Sequence, residues 1–406
     1  MNKFWAWVFL VAAGALTLLF FSNDFGLIDI QKTAIVAAIG IDTSEETEGQ
    51  WSVTAQIAVP DANAGKASNI SIPSAETMGA GIAEVNRKTG WYPTLVHCRL
   101  ILLGEKVAED DVFRVLGYFL RSEYVEDSCL VAVCEGRAQD MLGAASPVGE
   151  LTALAIAKVL SSEAQKTGLV CVTNLRDFAK GYYARAKSGY LPFLSLLREA
   201  ENESGGAGSS SGGAGASDGS GNASGGGAGG AGKNADVFDA SRTMLFYEGR
   251  RTAVLEAAET LAFNLAETST DFAFGEVEAE ENGQRTTFSL KMKITEKSHE
   301  LTLEGGEPVF SFRIRANAQI ADADDAEGLK QIAQKAIVPD AVLRAAEKEF
   351  EEQLAAVLRK AAESGCDLFR LKQTLWRSHP KEYSLYEPTL LADTRTAYDI
   401  RFSTLH

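Results

Sequence analysis

The sequence predicts an α+β protein: a multi-domain, mixed α/β body on the extracytoplasmic side of a membrane, behind an N-terminal membrane helix. Three observations predict this class. An unbroken apolar run lies close to the amino terminus, strand-like and helix-like patterns alternate through most of the remainder, and a Gly/Ser/Ala-rich segment divides the chain near its middle. With 46% hydrophobic residues the chain can form buried cores and is not a disordered protein.

Residues 1–25 are predicted to be a transmembrane anchor or a signal-like segment. As a helix, Phe4–Phe21 would rise about 27 Å, against roughly 30 Å of hydrocarbon in a bilayer. Lys3 before the run and Asp24 after it favour an inside amino terminus and an outside body. A cleaved signal peptide is the competing interpretation, because Ala13–Ala15 matches the A-x-A cleavage pattern.

Two further observations favour an anchor that stays in place. Cleavage after Ala15 would leave the apolar residues Leu16–Phe21 at the new terminus, and the run is longer than a signal core of about 7 to 15 residues. The first cysteine is Cys98, so no lipid can be attached to a cysteine near the amino terminus. We therefore expect the helix itself to be the anchor, and leave its cleavage open.

Residues 30–200 are predicted to form an N-terminal α/β module. Continuous or alternating apolar patterns predict its strands, and apolar residues at helical spacing predict its helices. The predicted strands are Thr33–Ile41, Trp51–Val59, Leu95–Leu103 and Ser128–Cys134, with a hairpin turn at Asp42–Gln50, and the predicted helices are Ala75–Thr89, Asp111–Arg121 and Arg137–Leu142.

Residues 201–235 are predicted to be a flexible linker, since Gly, Ser and Ala dominate them and cannot bury enough apolar surface to offset the ordering entropy. As a coil they would separate their ends by roughly 30 to 35 Å. Residues 236–406 are predicted to be a C-terminal α+β module. Its predicted strands are Arg242–Phe246, Thr286–Ile294, Val309–Ile320 and Tyr398–Phe402, with a long helix at Pro339–Ser364.

Charge and cysteine usage exclude some classes of function. The net charge of −16, without a dense basic stretch, argues against nucleic-acid binding. The five cysteines show no CxxC pair and are predicted to be mostly small buried apolar residues, with one disulfide left open. The four histidines show no pair at i, i+4 spacing, which argues against a zinc site.

Several of these segments, in this order, resemble the Ger(x)C family of spore germination proteins. The matching segments are Ala34–Asp42 (AIVAAIGID), Val53–Pro60 (VTAQIAVP), Leu100–Ala108 (LILLGEKVA), Phe119–Arg121, Leu130–Met141 (LVAVCEGRAQDM), Tyr190–Leu194 (YLPFL), Ala240–Ala262 and Gly365–Phe369 with Tyr383. Family members typically carry a lipidated cysteine ahead of a Trp-Asp pair, where this chain has Gly26–Asp29. The Gly/Ser/Ala insert is also unusually long.

The resemblance implies a membrane-anchored, non-enzymatic subunit of a spore germinant receptor. It would sit on the outer face of the spore inner membrane and act by contact with two polytopic membrane subunits, of the A and B types. The family fold has three parts, which would divide one of the two modules. A membrane-anchored cell-envelope hydrolase or a general envelope scaffold is the alternative, since the fold can assemble a carboxylate pair that no sequence spacing shows.

No catalytic, metal-binding or cofactor-binding residue is predicted, and no cofactor or small-molecule ligand. The carboxylates Asp322, Asp324, Asp325 and Glu327 lack EF-hand spacing and are interpreted as a solvated turn. Glu349, Glu351 and Glu352 are interpreted as a solvated helix face. Arg121 is interpreted as a helix-capping residue. The nutrient, the contact residues and the stoichiometry lie beyond the sequence.

Overall fold

The structure, a computed structural model, describes residues 3–22, 33–58, 68–144, 151–197, 237–268, 270–281, 284–323 and 337–404. The mixed α+β class is confirmed. The strands are β1 (Thr33–Thr43), β2 (Trp51–Ala58), β3 (Ser68–Ala75), β4 (Tyr92–Thr94), β5 (Leu100–Gly104), β6 (Leu130–Cys134), β7 (Ser188–Leu197), β8 (Val237–Tyr247), β9 (Arg250–Leu255), β10 (Ala273–Glu281), β11 (Gln284–Glu304), β12 (Glu307–Ala323) and β13 (Arg395–Thr404).

Helices connect these strands. They are α1 (Lys3–Ser22), α2 (Met78–Thr89), α3 (Phe113–Arg121), α4 (Ala138–Gly143), α5 (Thr152–Val159), α6 (Ser162–Gln165), α7 (Leu175–Tyr183), α8 (Ala257–Glu267), α9 (Asp340–Glu363), α10 (Leu371–Ser378), α11 (Tyr383–Tyr386) and α12 (Leu390–Asp393), with a 3₁₀ turn at Glu105–Glu109.

Strands β1 to β9 of the described ranges form one mixed sheet, in the order β3-β2-β1-β5-β6-β7-β8-β9, with β4 paired to the start of β1. The neighbours β1, β5, β6 and β7 run parallel, and the pairs on either side of them are antiparallel. A central parallel strand is buried on both faces, which is why β1 and β5 read as continuous apolar runs.

Alternate residues of these strands pack into two different hydrophobic cores, one on each face of the sheet. Ile39 and Ile101 belong to the core under α2, α3 and α7, whereas Ala38 and Leu100 belong to the core under α4 and α5. This alternation follows from the two-residue period of a strand. The first sheet is therefore the middle layer of an α/β arrangement.

The second sheet has the order β10-β11-β12-β13, and its last pair is parallel. Helices α8 and α9 contribute to its core. The apolar stripe predicted for the long helix is confirmed, because every member is buried: Leu343, Ala346, Phe350, Leu354, Val357 and Ala361. Strand β11 extends well beyond the predicted Thr286–Ile294, and its pairing with β12 continues to the turn at Gly305.

Strands β8 and β9 follow the Gly/Ser/Ala-rich segment in sequence but belong to the first sheet. Leu197 of β7 pairs with Val237 of β8, so the two ends of the intervening segment are neighbours in adjacent strands. The expected separation of 30 to 35 Å between these ends is therefore wrong. Residues 201–235 themselves lie outside the described residues, and the limits 30–200 and 236–406 stay a proposal for two parts that share this sheet.

Strand β3 was not expected from the sequence. Its segment SNISIPSA is a polar edge strand that carries Pro73, and six of its eight residues are exposed or partly exposed. Helix α1 is present, and its apolar side chains are exposed, including Trp5, Phe9 and Leu16. Among the helices of the described ranges, none combines the length and apolar character needed to cross a bilayer.

Candidate functional site

A polar cleft of about 890 Å³ lies among the described residues. Its first wall comes from loops and helices of the first sheet, at residues 96–99, 126–130, 157–165 and 172–190. Its second wall comes from the end of α8 and from residues 367–370, ahead of α10. The cleft therefore brings together segments from both sides of the Gly/Ser/Ala-rich segment.

The first wall lies at the amino-terminal edge of the parallel strands. Leu100 and Leu130 are partners at the start of β5 and β6, so the loops that precede these strands lie side by side. The loops carry the buried thiols of Cys98 and Cys129, which line the cleft. A hydrogen bond to Cys98 and then burial raise the pKa of the Cys129 thiol, which keeps it protonated.

Thr173 supplies a buried polar atom that faces this cleft without a partner. Its backbone oxygen accepts from Val131 N at 3.1 Å, which holds the residue against β6. Its side chain is 7% exposed, and within the described part of the chain its Oγ1 has no hydrogen-bond partner. An orphaned buried hydroxyl costs about 1–3 kcal/mol, so this wall can accept a polar group that pairs with it.

Asp367 joins the two walls. Its backbone N–H donates to Ser188 Oγ at 2.8 Å, across the boundary between the two parts of the chain. Its carboxylate accepts from the backbone N–H groups of Leu371 at 2.7 Å and Lys372 at 2.9 Å, which caps the amino terminus of α10. Burial raises the pKa of this carboxyl, and the two backbone hydrogen bonds oppose that rise.

A titratable group of three residues stands beside the second wall. Glu267 Oε2 lies 3.7 Å from His299 Nδ1, and Lys297 Nζ donates to the carbonyls of Thr268 and Leu265 at the carboxyl end of α8. Burial raises the pKa of Glu267, while Arg370 and Lys297 oppose that rise. Burial also lowers the pKa values of Lys297 and His299.

The cleft carries groups of both charges and many neutral donors and acceptors. Arg99 and His97 are exposed on the first wall and Arg370 on the second, while Glu126 and Asp177 add carboxylates. Within the described ranges, no group of three or more His, Cys, Asp or Glu side chains could hold a metal ion. The arrangement is suited to hydrogen bonding and charge pairing with a polar surface.

A second polar junction organises the carboxyl-terminal edge of the same parallel strands. Asp42, at the end of β1, is 3% exposed and accepts from Ala138 N at 2.8 Å and Gln139 N at 3.0 Å, at the start of α4. Burial raises the pKa of this carboxyl, and those two bonds oppose that rise. Gly104 ends β5 beside it, and a Cβ there would collide with Asp42 Oδ1. Local contacts therefore require the glycine.

The residues weighed in the sequence fall in different places. All five cysteines are buried, as predicted, and the structure shows no disulfide between any two of them. Glu349, Glu351 and Glu352 are exposed on α9, which confirms a solvated face. Asp322 ends β12, whereas Asp324, Asp325 and Glu327 lie outside the described residues. Arg121 is exposed in the last turn of α3, and its capping role stays a prediction.

Comparison with known proteins identifies the family. One protein-family model, the spore germination protein N-terminal domain, matches residues 27–196. A second, described as spore germination B3/GerAC like, C-terminal, matches residues 241–389. Together they cover well over half of the chain. The chain belongs to the Ger(x)C family of germinant-receptor C subunits.

A solved structure titled "Crystal Structure of the GerBC protein" is also similar to the chain. The two are 17% identical, the similarity covers 91% of this chain and 97% of that one, and the TM-score is 0.49. No curated protein matches the chain.

Three of the segments that carry the Ger(x)C resemblance meet at the Asp42 junction. Asp42 comes from AIVAAIGID, Gly104 from LILLGEKVA, and Ala138 and Gln139 from LVAVCEGRAQDM. The cleft was not predicted from the sequence. Its residues Thr173, Glu267 and Asp367 lie far apart in the chain and form no motif with a recognisable spacing. Only Asp367 lay in a quoted segment, and an acidic residue four positions before Leu371 was the available signal for a helix start.

Proposed function

We propose that this chain is a membrane-attached, non-enzymatic subunit of a spore germinant receptor that acts by contact with two polytopic subunits, of the A and B types. The observation that supports this most is the pair of spore germination matches, at residues 27–196 and 241–389. The mixed polar character of the cleft suits contact with another polar surface.

Membrane attachment through the amino terminus, with the body outside, is part of the proposal. The exposed side chains of α1 include Trp5, Trp7, Phe9, Leu10 and Leu16, each at least 68% exposed. Transfer of such a helix from water into an apolar environment is favourable, because its exposed apolar side chains leave contact with water. In an acidic protein, this contribution replaces electrostatic attraction to anionic lipid.

Affinity capture tests the partners. The full chain carries a tag, and membranes from spores are solubilised in mild detergent before capture. We expect two polytopic proteins to co-purify with the tagged chain, and neither to co-purify with an unrelated tagged protein that has a single membrane helix. Recovery of the intact chain from spore membranes without any polytopic protein would contradict the proposal.

A paired substitution tests the cleft as the contact surface. Arg99 is exposed on the cleft wall, and no carboxylate of the described ranges lies within ion-pair distance of it. Arg99→Ala is therefore expected to lower the yield of co-captured partners without changing the amount of chain. Arg344→Ala, on the solvent side of α9, is the matched control and should leave the yield unchanged. Equal yields from both variants would remove the cleft from the proposal.

A further inference from the structure

An exposed aromatic surface lies next to the point where β1 begins. It consists of Trp91, Tyr92, Val96 and Tyr124, which are 40%, 47%, 43% and 52% exposed, and is called the aromatic patch below. Large apolar side chains that are exposed together indicate a contact surface, whereas single ones do not.

Local structure holds Trp91 in place. Helix α2 ends at Gly90, whose φ of 73° is left-handed and whose N–H donates to Asn86 O at 2.7 Å. The Asn86 side chain then donates to Trp91 O at 3.0 Å, and Trp91 N donates to Thr89 Oγ1 at 3.1 Å. The backbone of Trp91 is fixed on both sides, so its indole is presented to solvent by a defined turn.

The fold places the aromatic patch where the chain arrives from α1. Tyr92 of β4 is the parallel partner of Thr33, the first residue of β1. Val96 and Tyr124 lie in the loops that precede β5 and β6, which start at the same edge of the sheet as β1. The connection from Ser22 to Thr33 can span at most about 40 Å when fully extended, so this edge cannot lie farther than that from the end of α1.

The chemistry of the aromatic patch fits the headgroup region of a bilayer. Trp and Tyr are enriched at membrane–water interfaces, where an apolar ring and a polar group are both accommodated. The segment 86–104 contains Arg87, Lys88 and Arg99 and no acidic residue, in a chain with 55 Asp and Glu residues. Glu84 pairs with Arg87, and Glu123 in the neighbouring loop adds a further negative charge, so the rings and not the net charge supply the attraction.

We propose that the aromatic patch rests in the interfacial layer of the bilayer that holds α1, and so fixes how the body is oriented on the membrane. This inference depends on the membrane attachment proposed above. It adds a second point of contact, formed by the folded body, and commits to lipid as the occupant of the surface. With two contacts the amino-terminal edge of the first sheet faces the bilayer.

Quenching by brominated lipid tests this in the full chain. One variant keeps Trp91 as its single tryptophan, and a matched variant carries its single tryptophan as Glu48→Trp, in the exposed turn between β1 and β2 at the opposite edge of the sheet. The other tryptophans become Phe. Each variant is reconstituted in phosphatidylcholine vesicles whose acyl chains are brominated near the headgroup, and flotation measures attachment separately.

We expect both variants to float with the vesicles, and bromine to quench most of the Trp91 emission, while the emission of the Glu48→Trp control stays close to its value in unbrominated lipid. Floating variants with equal quenching of Trp91 and of the Glu48→Trp control would overturn the role of the aromatic patch and leave the attachment proposal standing. Failure of the unsubstituted chain to float with the same vesicles would refute attachment, and the patch proposal with it. Matching thermal unfolding of the two variants checks that both retain the fold.

Discussion

The junction between Asp42 and Gly104 yields a prediction in which two substitutions oppose each other. Asp42→Ala removes the acceptor of the Ala138 and Gln139 backbone N–H groups, at 2.8 and 3.0 Å, and leaves both donors without their partner. Gly104→Ala leaves those bonds in place but adds a methyl group that collides with the Asp42 carboxylate. The collision disappears when Asp42 is also Ala.

The magnitudes follow from burial. A hydrogen bond to a charged group contributes about 1.5–3 kcal/mol. The raised pKa of Asp42 shows that burial of its charge offsets part of this contribution, so we expect Asp42→Ala to cost about 2–4 kcal/mol. Overpacking by one methyl group costs about 1–3 kcal/mol. The double variant should then be more stable than the sum of the two losses predicts, by about 1–2 kcal/mol.

Thermal and urea unfolding of the full chain in mild detergent measures all four members of the cycle. Gly143→Ala is the matched control, because a Cβ at Gly143 meets no atom within 4 Å, and its unfolding midpoint should not fall. Strictly additive losses from Asp42→Ala and Gly104→Ala would refute the reasoning, since they would mean that the new methyl group does not meet the carboxylate.

Three other predictions concern single groups. Burial first and Lys297 second lower the pKa of His299 below its usual 6.5, so protonation of this side chain is less favourable in the folded chain than in the unfolded one. Stability should therefore rise as the pH increases towards 6.5. His299→Gln should weaken this rise in unfolding curves, with the facing charges of Glu267 and Lys297 unchanged. Iodoacetamide at neutral pH should modify none of the five buried cysteines before unfolding and all of them afterwards. Burial protects the thiols and raises the pKa values of Cys171 and Cys366 to about 12. Mass spectrometry counts the adducts, and fast labelling of the native chain would contradict the burial. Lys360→Met should lower stability by about 2 kcal/mol, because the mostly buried Glu259 carboxylate between α8 and α9 would lose its cation, Lys360 Nζ at 2.6 Å. Urea unfolding midpoints measure this loss, with Lys348→Met at an exposed position as control.

Much of the fold was readable from periodicity. The continuous apolar run of β1 and the stripe on α9 were predicted because both elements bury a whole face, and burial leaves a regular pattern. Strand β3 left no such pattern, since it is an edge strand in which six of the eight residues are exposed or partly exposed. Its place in the sheet depends on pairing with β2, which is a tertiary contact.

The cleft was beyond the sequence for a related reason. Ser188 and Asp367 meet through one hydrogen bond although they lie on opposite sides of the Gly/Ser/Ala-rich segment. In the sequence, Thr173 is one threonine among many. Only the folded structure shows that its hydroxyl is buried from solvent and has no hydrogen-bond partner. Properties that arise from distant segments in contact, such as an orphaned hydroxyl or a shifted pKa, require coordinates.

The pairing of Leu197 with Val237 bears on how the long Gly/Ser/Ala-rich insert can act. Because the residues that flank the insert, Leu197 and Val237, are paired in adjacent antiparallel strands, the insert does not set the spacing between two rigid bodies. Its length is decoupled from the rest of the architecture, and doubling it would add only about 0.6 kcal/mol of closure entropy. A change in the length of the insert, or a reporter placed in it, is therefore expected to cost the sheet on either side little stability.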